Sequence, residues 1–493
     1  MSIDLCLVSP PQRAYNHYRP PLSLMLIASF LEKNGIETEI IDPKSSEPVL
    51  EHNKDIIVNE IMLHVERLDP KIVGISCYTP EFEDVMQIAY KIKVRNNSTK
   101  VIVGGIHPTL SFKDFFFENS PVDYVVIGEG ELTVYELIRA ILEKNKRFND
   151  IFGIVYYDQI ENRIIQTPPR PLINDLDKMP FPAYKKVDME YYTSPNPYAI
   201  RGLFLSSFYI LTGRGCPMQC TFCVSAELSK SQRLKKYLRC RSGRSVVDEI
   251  ELLKKEYLID SFYFIDDNFS LYKDLAFEIC DSLIKRKINL LWGCSARINN
   301  LSEELLKKMK KSGCTQIDLG VESGSDAVLK RLKKGITIKQ TKEVFKNCHK
   351  IGIRTFANVL INVPNETERE LDDTLKLLDE IKPSVTSFNI FTPYLGTEIY
   401  NSQNVNLNPD EYKLLGESPR KLILNPKFRF TKHNIDLNKF YITNHRKYNS
   451  FLNFLPDYLA ISYIRQLIKS RRKKDYFLKS VELFKEFLKQ VMY

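Results

Sequence analysis

Thr212-Gly-Arg-Gly-Cys-Pro-Met-Gln-Cys-Thr-Phe-Cys223 sets Cys216, Cys220 and Cys223 in a C-x3-C-x2-C spacing directly after a β-rich run. Three soft thiolates on one short loop suit an iron–sulfur cube, which ordinarily takes four. With three offered locally, one iron is left open. Zinc would want a fourth ligand at knuckle spacing, and no second close Cys or His pair follows. Gly213, Gly215 and Pro217 favour a loop here over a strand or helix.

Outward from this loop, strand-like runs alternate with amphipathic stretches from Leu205 to about Tyr400. Strands are expected at Phe208–Thr212, Ser261–Ile265, Leu290–Cys294, Gln316–Val321, Arg354–Ile361 and Ser387–Phe391. Six strand–helix repeats predict a partial (β/α)6 barrel over residues 204–400, with chemistry at the carboxyl ends of its strands. Those ends read Asp266-Asp267-Asn268, Ser295-Ala-Arg297, Glu322-Ser323-Gly-Ser325, Asn362-Val-Pro-Asn365 and Thr392-Pro-Tyr394. The acids among them would also stabilise helix starts.

Residues 1–150 repeat the alternation, with strands at Ile3–Val8, Glu37–Ile41, Ile72–Ser76, Lys100–Val103 and Tyr124–Ile127. Helices are expected at about 22–33, 55–67, 81–94 and 132–144. This predicts an α/β, doubly wound, Rossmann-like (flavodoxin-like) domain that binds ligands beyond its strand ends. The loops there are Ser9–Gln12, Ser76–Thr79, Gly104–Thr109 and Gly128–Glu131, and the lack of G-x-G-x-x-G after the first strand argues against a dinucleotide. Residues 151–203 hold a hairpin, Gly153–Tyr157 with Arg163–Gln166, and a strap with seven prolines between Thr167 and Pro197.

Together these features resemble the cobalamin-dependent radical S-adenosylmethionine (radical SAM) enzymes, in which a B12-binding domain precedes the barrel. The resemblance implies a [4Fe–4S] cluster on Cys216, Cys220 and Cys223, S-adenosyl-L-methionine on its open iron, and reductive cleavage to a 5′-deoxyadenosyl radical. It places Phe222 near adenine and Asp266, Asp267, Glu322, Ser323, Asn362 and Thr392 around S-adenosylmethionine. It assigns Ser76, Thr79, Gly104, Gly105, Gly128, Glu129 and Gly130 to cobalamin. Two departures stand out: no D-x-H-x-x-G follows the first strand, so cobalt has no histidine from that motif, and Tyr78 stands where Leu is usual. His107 reads as a loop-packing residue rather than a cobalt ligand. Asn362-Val-Pro-Asn-Glu-Thr367 resembles a G-x-P-G-E-T turn with asparagine for both glycines, which asparagine tolerates.

The activity so implied is methyl transfer to an unactivated carbon or phosphorus, with a ferredoxin- or flavodoxin-type one-electron reductant. Rivals are a cobalamin-dependent cyclase or other non-methylating rearrangement, and an inactive corrinoid-binding sensor. A methylthiotransferase is disfavoured, because residues 1–150 hold only Cys6 and Cys77. Ten cysteines, seven of them scattered singly, suit a reducing, cytoplasmic setting. Residues 401–493 hold 18 Lys plus Arg against 8 Asp plus Glu, the whole net charge of +10, while residues 1–400 balance at 53 against 53. This basic, helical extension is expected either to cap the barrel or to touch a membrane surface, in which case a lipid substrate becomes an option beside a small molecule. It carries no nucleic-acid motif.

Overall fold

The computed structural model describes residues 3–11, 19–43, 54–143, 147–231, 238–403, 405–416, 425–449, 456–479 and 481. The chain forms two compact units. One comprises Met1–Asp188, Pro217–Arg239 and Thr392–Leu422; the other comprises Met189–Cys216, Cys240–Phe391 and Ile423–Tyr493.

The first unit is built on a seven-stranded sheet: β1 (Leu5–Val8), β2 (Thr38–Ile41), β3 (Ile72–Ser76), β4 (Lys100–Gly104), β5 (Tyr124–Val126), β6 (Ile154–Asp158) and β7 (Arg163–Gln166), in the order β2-β1-β3-β4-β5-β6-β7. The first five are parallel, in the flavodoxin-like order with its switch point between β1 and β3. Leu5–Val8 is buried throughout, as expected of a parallel strand covered on both faces. The 153–166 hairpin, expected as part of a connection, instead extends the sheet antiparallel from β5. Leu5, Leu7, Leu31, Ile72, Ile102, Leu137 and Ile154 share the core beneath helices Leu22–Lys33 and Gly130–Glu143.

The second unit carries six parallel strands, β8 (Ser207–Ile210), β9 (Ser261–Phe264), β10 (Leu291–Ala296), β11 (Cys314–Glu322), β12 (Arg354–Ile361) and β13 (Val385–Ile390). They pair in chain order, the sheet of a partial (β/α)6 barrel. Its helices start where short polar side chains cap them: Ser242, Ser302, Thr337 and Thr367 each accept a bond from the backbone three residues on. Trp292, the only tryptophan, is fully buried between Phe262, Phe264 and Phe269 and donates its indole N–H to Ser312.

Residues 456–479 of the C-terminal segment dock on this second unit at the amino ends of its strands. Asp260, just before β9, accepts from Gln466, Ser470 and Tyr476. Arg354, the first residue of β12, pairs with Asp457 at 2.8 Å. The buried Arg472 bonds Thr193, Glu190 and Asp475. Residues 480 and 482–493 of this extension lie outside the described residues. No helix among the described residues is long and apolar enough to cross a membrane.

Candidate functional site

The cysteine loop leaves the carboxyl end of β8. Directly beside that end, Asp266 follows β9 and turns its carboxylate inward. Its Oδ1 accepts from Thr212 N (2.9 Å), Thr212 Oγ1 (3.1 Å) and Gly213 N (2.7 Å), tying down the chain three residues ahead of Cys216. Its Oδ2 is buried and has no hydrogen-bond partner among the described residues. Burial pushes the Asp266 carboxyl up to about 6, against the pull of the bonds from Gly213 and Thr212. Asp267, next along, is exposed.

Burial also raises the seven thiols outside the triad. Cys6, Cys240, Cys280 and Cys348 are pushed up to about 12, and Cys77, Cys294 and Cys314 are raised well above the usual thiol range, so all seven stay protonated and inert. Of the triad, Cys216 and Cys223 are half-buried and Cys220 is buried, and the Cys223 amide bonds the Cys220 carbonyl at 3.1 Å. Among the described residues no three Cys, His, Asp or Glu side chains form a ready-made metal site. The donor set nevertheless fits a cluster, and ligands commonly gather only as metal binds.

Glu322 ends β11 at φ 61°, left-handed for a non-glycine residue, where β11 slips register against β12. Its carboxylate pairs with Lys334 at 2.5 Å. Ser323 bonds Thr374 Oγ1, and Gly324 has no room for a side chain, because an added Cβ would strike the Asp373 carbonyl. Asn362 and Asn365 take φ of 67° and 61°, so the turn persists without its glycines. The Asn362 side chain is engaged by Phe428 O (2.5 Å) and Phe430 N (3.1 Å). That engagement leaves the expected role of the Asn362 amide in S-adenosylmethionine binding without support. Phe222 and Thr392 are both half-buried.

Sequence reading missed a polar layer on the strands of this unit. Gln316, Asp318, Gly320 and Glu322 alternate along β11, so they share one face. Asp318 accepts from Gln316 (2.7 Å), Tyr263 bonds Ser295 (3.0 Å), and Asn358, Ser387 and Asn389 form a further chain on β12 and β13. Burial raises the Asp318 carboxyl. The signal was the period-two polarity of Gln-Ile-Asp-Leu-Gly-Val-Glu in a strand otherwise expected to be apolar on both faces.

In the first unit, the β3 and β4 ends are laced together. Cys77 N donates to Gly104 O (2.8 Å) and His107 N to Cys77 O (3.2 Å). Gly105 sits at φ 118°, and a Cβ there would lie 2.8 Å from Cys77 O; at Gly130 it would lie 2.9 Å from the Ile27 side chain. Internal packing therefore explains both of these glycines. Gly104 differs: an added Cβ would meet only Val126, at an ordinary 3.6 Å. Its bare backbone fits close approach by a flat ligand at the rim, where Ser76 pairs beside it. Gly128, at φ 79°, donates its N–H to Thr109.

Glu129 grips the buried Arg239 through two bonds, at 2.5 and 3.0 Å, and Arg239 also bonds Ile173 O. Gly128, Glu129 and the strap residues Pro169–Ile173 line a small cleft. Thr79 Oγ1 is 3.2 Å from His107 Nδ1. The His107 ring is fully buried among Phe82, Phe115 and Tyr412, with Nε2 3.3 Å from Asp114. Burial pushes the Asp114 carboxyl up, but bonds from His107, Ser111 and Tyr412 outweigh it and hold the group low. His107 is thus a packing and hydrogen-bonding residue.

A flavodoxin-order α/β unit with a bare glycine at its rim, and a six-strand partial barrel with a three-cysteine loop, define a two-part cofactor enzyme. The B12 binding domain family model matches residues 14–138 and the Radical SAM superfamily model residues 210–378. An uncharacterized methyltransferase of Pyrococcus horikoshii is 32% identical over 404 residues, 81% of this chain and 82% of that protein. The anaerobic magnesium-protoporphyrin IX monomethyl ester cyclase of Rubrivivax gelatinosus is 28% identical over 390 residues, 77% of this chain and 66% of that protein. The structure of the radical SAM methyltransferase TsrM from Kitasatospora setae, with cobalamin and a [4Fe–4S] cluster bound, shares the fold. Its TM-score is 0.62, with 20% identity over 82% of this chain and 75% of that one. The chain belongs to the cobalamin-dependent radical SAM enzyme family. Its cofactors are a [4Fe–4S] cluster, S-adenosyl-L-methionine and cobalamin, and such enzymes use a small-molecule substrate and an external reductant.

Proposed function

We propose that this enzyme transfers a methyl group to a carbon or phosphorus atom too weakly nucleophilic for direct displacement. The observation that carries the reading is the likeness to the P. horikoshii methyltransferase across four-fifths of both chains. Bound together, the cofactors supply a radical able to take hydrogen from an unactivated position and a methyl group to replace it. The Cys216, Cys220 and Cys223 thiolates hold the cluster. Asp266 fixes the loop before them through Oδ1 and offers the buried Oδ2 to the ammonium group of S-adenosylmethionine, an interaction strong in a site shut off from water. The Glu322–Lys334 pair holds the β11 end, and the layer of Asp318, Asn358, Ser387 and Asn389 orients substrate by hydrogen bonds. Gly104 lets the corrin edge approach the backbone, with Ser76 beside it. The enzyme works in the cytoplasm, reduced by a ferredoxin or flavodoxin, in peripheral contact with a membrane through its basic C-terminal segment.

The likeness to the R. gelatinosus cyclase supports a second reading, ring closure without methyl transfer. Anaerobic turnover with S-adenosylmethionine carrying a deuterated methyl group separates the two. The methyltransferase reading predicts label in the product; an unlabelled, oxidised or cyclised product would contradict it. No cleavage of S-adenosylmethionine under strong reductant would leave the corrinoid sensor.

A further inference from the structure

We infer that the outer face of the C-terminal helix Ile461–Lys469, with residues 470–479 that follow it, is a docking surface for an anionic lipid bilayer. The inference refines the peripheral contact proposed above and is independent of the reaction catalysed. The helix has two faces. Its inner side is engaged: Tyr463 joins Ile200, Leu203, Leu205 and Leu291 in a buried cluster, and Gln466 and Ser470 bond Asp260. Its outer side bears Ile461 (75% exposed), Ile464 and Ile468 (67%), at the spacing of one helical face. Leu459, Phe477 (69%) and Leu478 are exposed nearby in the chain.

The charges on this segment are sorted in the same way. Its acids are turned inward, Asp457 to Arg354 and Asp475 to Arg472. Arg465, Lys469, Arg471, Lys473 and Lys474 are exposed and have no acidic partner among the described residues. An apolar row flanked by unneutralised cations matches the interface of a membrane, where side chains bury shallowly and basic residues meet acidic headgroups. A second copy of the chain would bring like charges together. Nucleic acid would leave the isoleucines without a role.

Location gives the surface its meaning. Ser206 and Asp260, which receive Tyr476, precede β8 and β9, whereas the loop to Cys216 and Asp266 follow them. Within this unit the lipid-facing segment and the cysteine loop therefore lie at opposite ends of the same parallel strands. The bilayer then meets this unit at the amino ends of its strands, away from the loop to Cys216.

The test is co-sedimentation of the full-length protein with vesicles of phosphatidylcholine alone or mixed with phosphatidylglycerol, at low and high salt. Wild type is expected to bind the mixed vesicles, and high salt to weaken binding. Replacing Arg465, Lys469 and Lys473 together by Gln should weaken it on the order of 100-fold. Ile461→Glu with Ile468→Glu should abolish it while leaving the melting temperature unchanged, since neither side chain packs inward. Equal binding to both vesicles, indifference to these variants, or a dimer that the glutamates convert to monomer would each overturn the inference. A fall in melting temperature with the glutamate pair would overturn it as well, by showing that the row packs internally.

Discussion

The Asp266 carboxylate anchors Thr212 and Gly213 through Oδ1, and the buried Oδ2 without a partner is the atom proposed above to meet the ammonium group of S-adenosylmethionine. Asparagine retains the carbonyl acceptor and loses the charge; alanine loses both. Asp266→Asn should therefore keep its iron but weaken S-adenosylmethionine binding by roughly 10- to 100-fold, the worth of a charge-assisted bond. Asp266→Ala should lose iron as well, because three donors are left unmet. The same group gives a pH signature. Its folded value of about 6 lies above the ordinary value of roughly 4 for an unfolded chain. Below the ordinary value the acid is neutral in both states and costs nothing. Between pH 4 and 6 the unfolded chain ionises first, so stability falls, and above pH 6 the full cost of about 3 kcal/mol is present. Relative to Asp266→Asn, wild type should gain about that much on going from pH 7 to 4, read by urea unfolding with Trp292 fluorescence. Parallel pH curves would contradict the burial argument.

At the scale of elements, neighbouring glycines separate packing from binding. Gly105→Ala puts a side chain at φ 118° against the Cys77 carbonyl and should destabilise the first unit by at least 1–3 kcal/mol. Gly104→Ala meets only Val126 and should leave the melting curve in place while lowering cobalamin retention on desalting. Equal loss of stability in both variants would contradict the assignment of Gly104 to the ligand. The strands themselves were legible in the sequence. Arg354–Ile361 and Ile72–Ser76 stand where alternation and turn residues put them, and β11 runs only a little beyond Gln316–Val321 at each end. The Gly128–Glu131 loop is shorter than expected, since Gly130 already opens the helix read from Leu132, and Gly104–Thr109 runs into a short helix, Ile106–Ser111. What the sequence hid depends on partners distant along the chain. Nothing local to Glu129 points to Arg239, and nothing local to Asn362 points to Phe428 and Phe430. The motif residues could be found by spacing, whereas their engagement within the protein could not.

At the scale of the whole molecule, the net charge of +10 resides in residues 401–493, yet part of that basic segment is used internally. Arg472 is buried in hydrogen bonds, and residues 456–479 cover the amino ends of barrel strands, as a cap would. In the docking inferred above, capping and surface contact, which the sequence presents as alternatives, fall on the two faces of one helix. The residues proposed for the cluster and those proposed for cobalamin are distinct sets on different loops, so one preparation can test each. The central measurement is iron, sulfide and cobalt content after anaerobic reconstitution with hydroxocobalamin and removal of the excess, beside a Cys216→Ala, Cys220→Ala, Cys223→Ala variant. Wild type should retain about four irons together with stoichiometric cobalamin, and the variant should lose the iron while keeping the cobalamin. A cluster that survives the triple substitution, or cobalamin that washes out of wild type, would contradict the account.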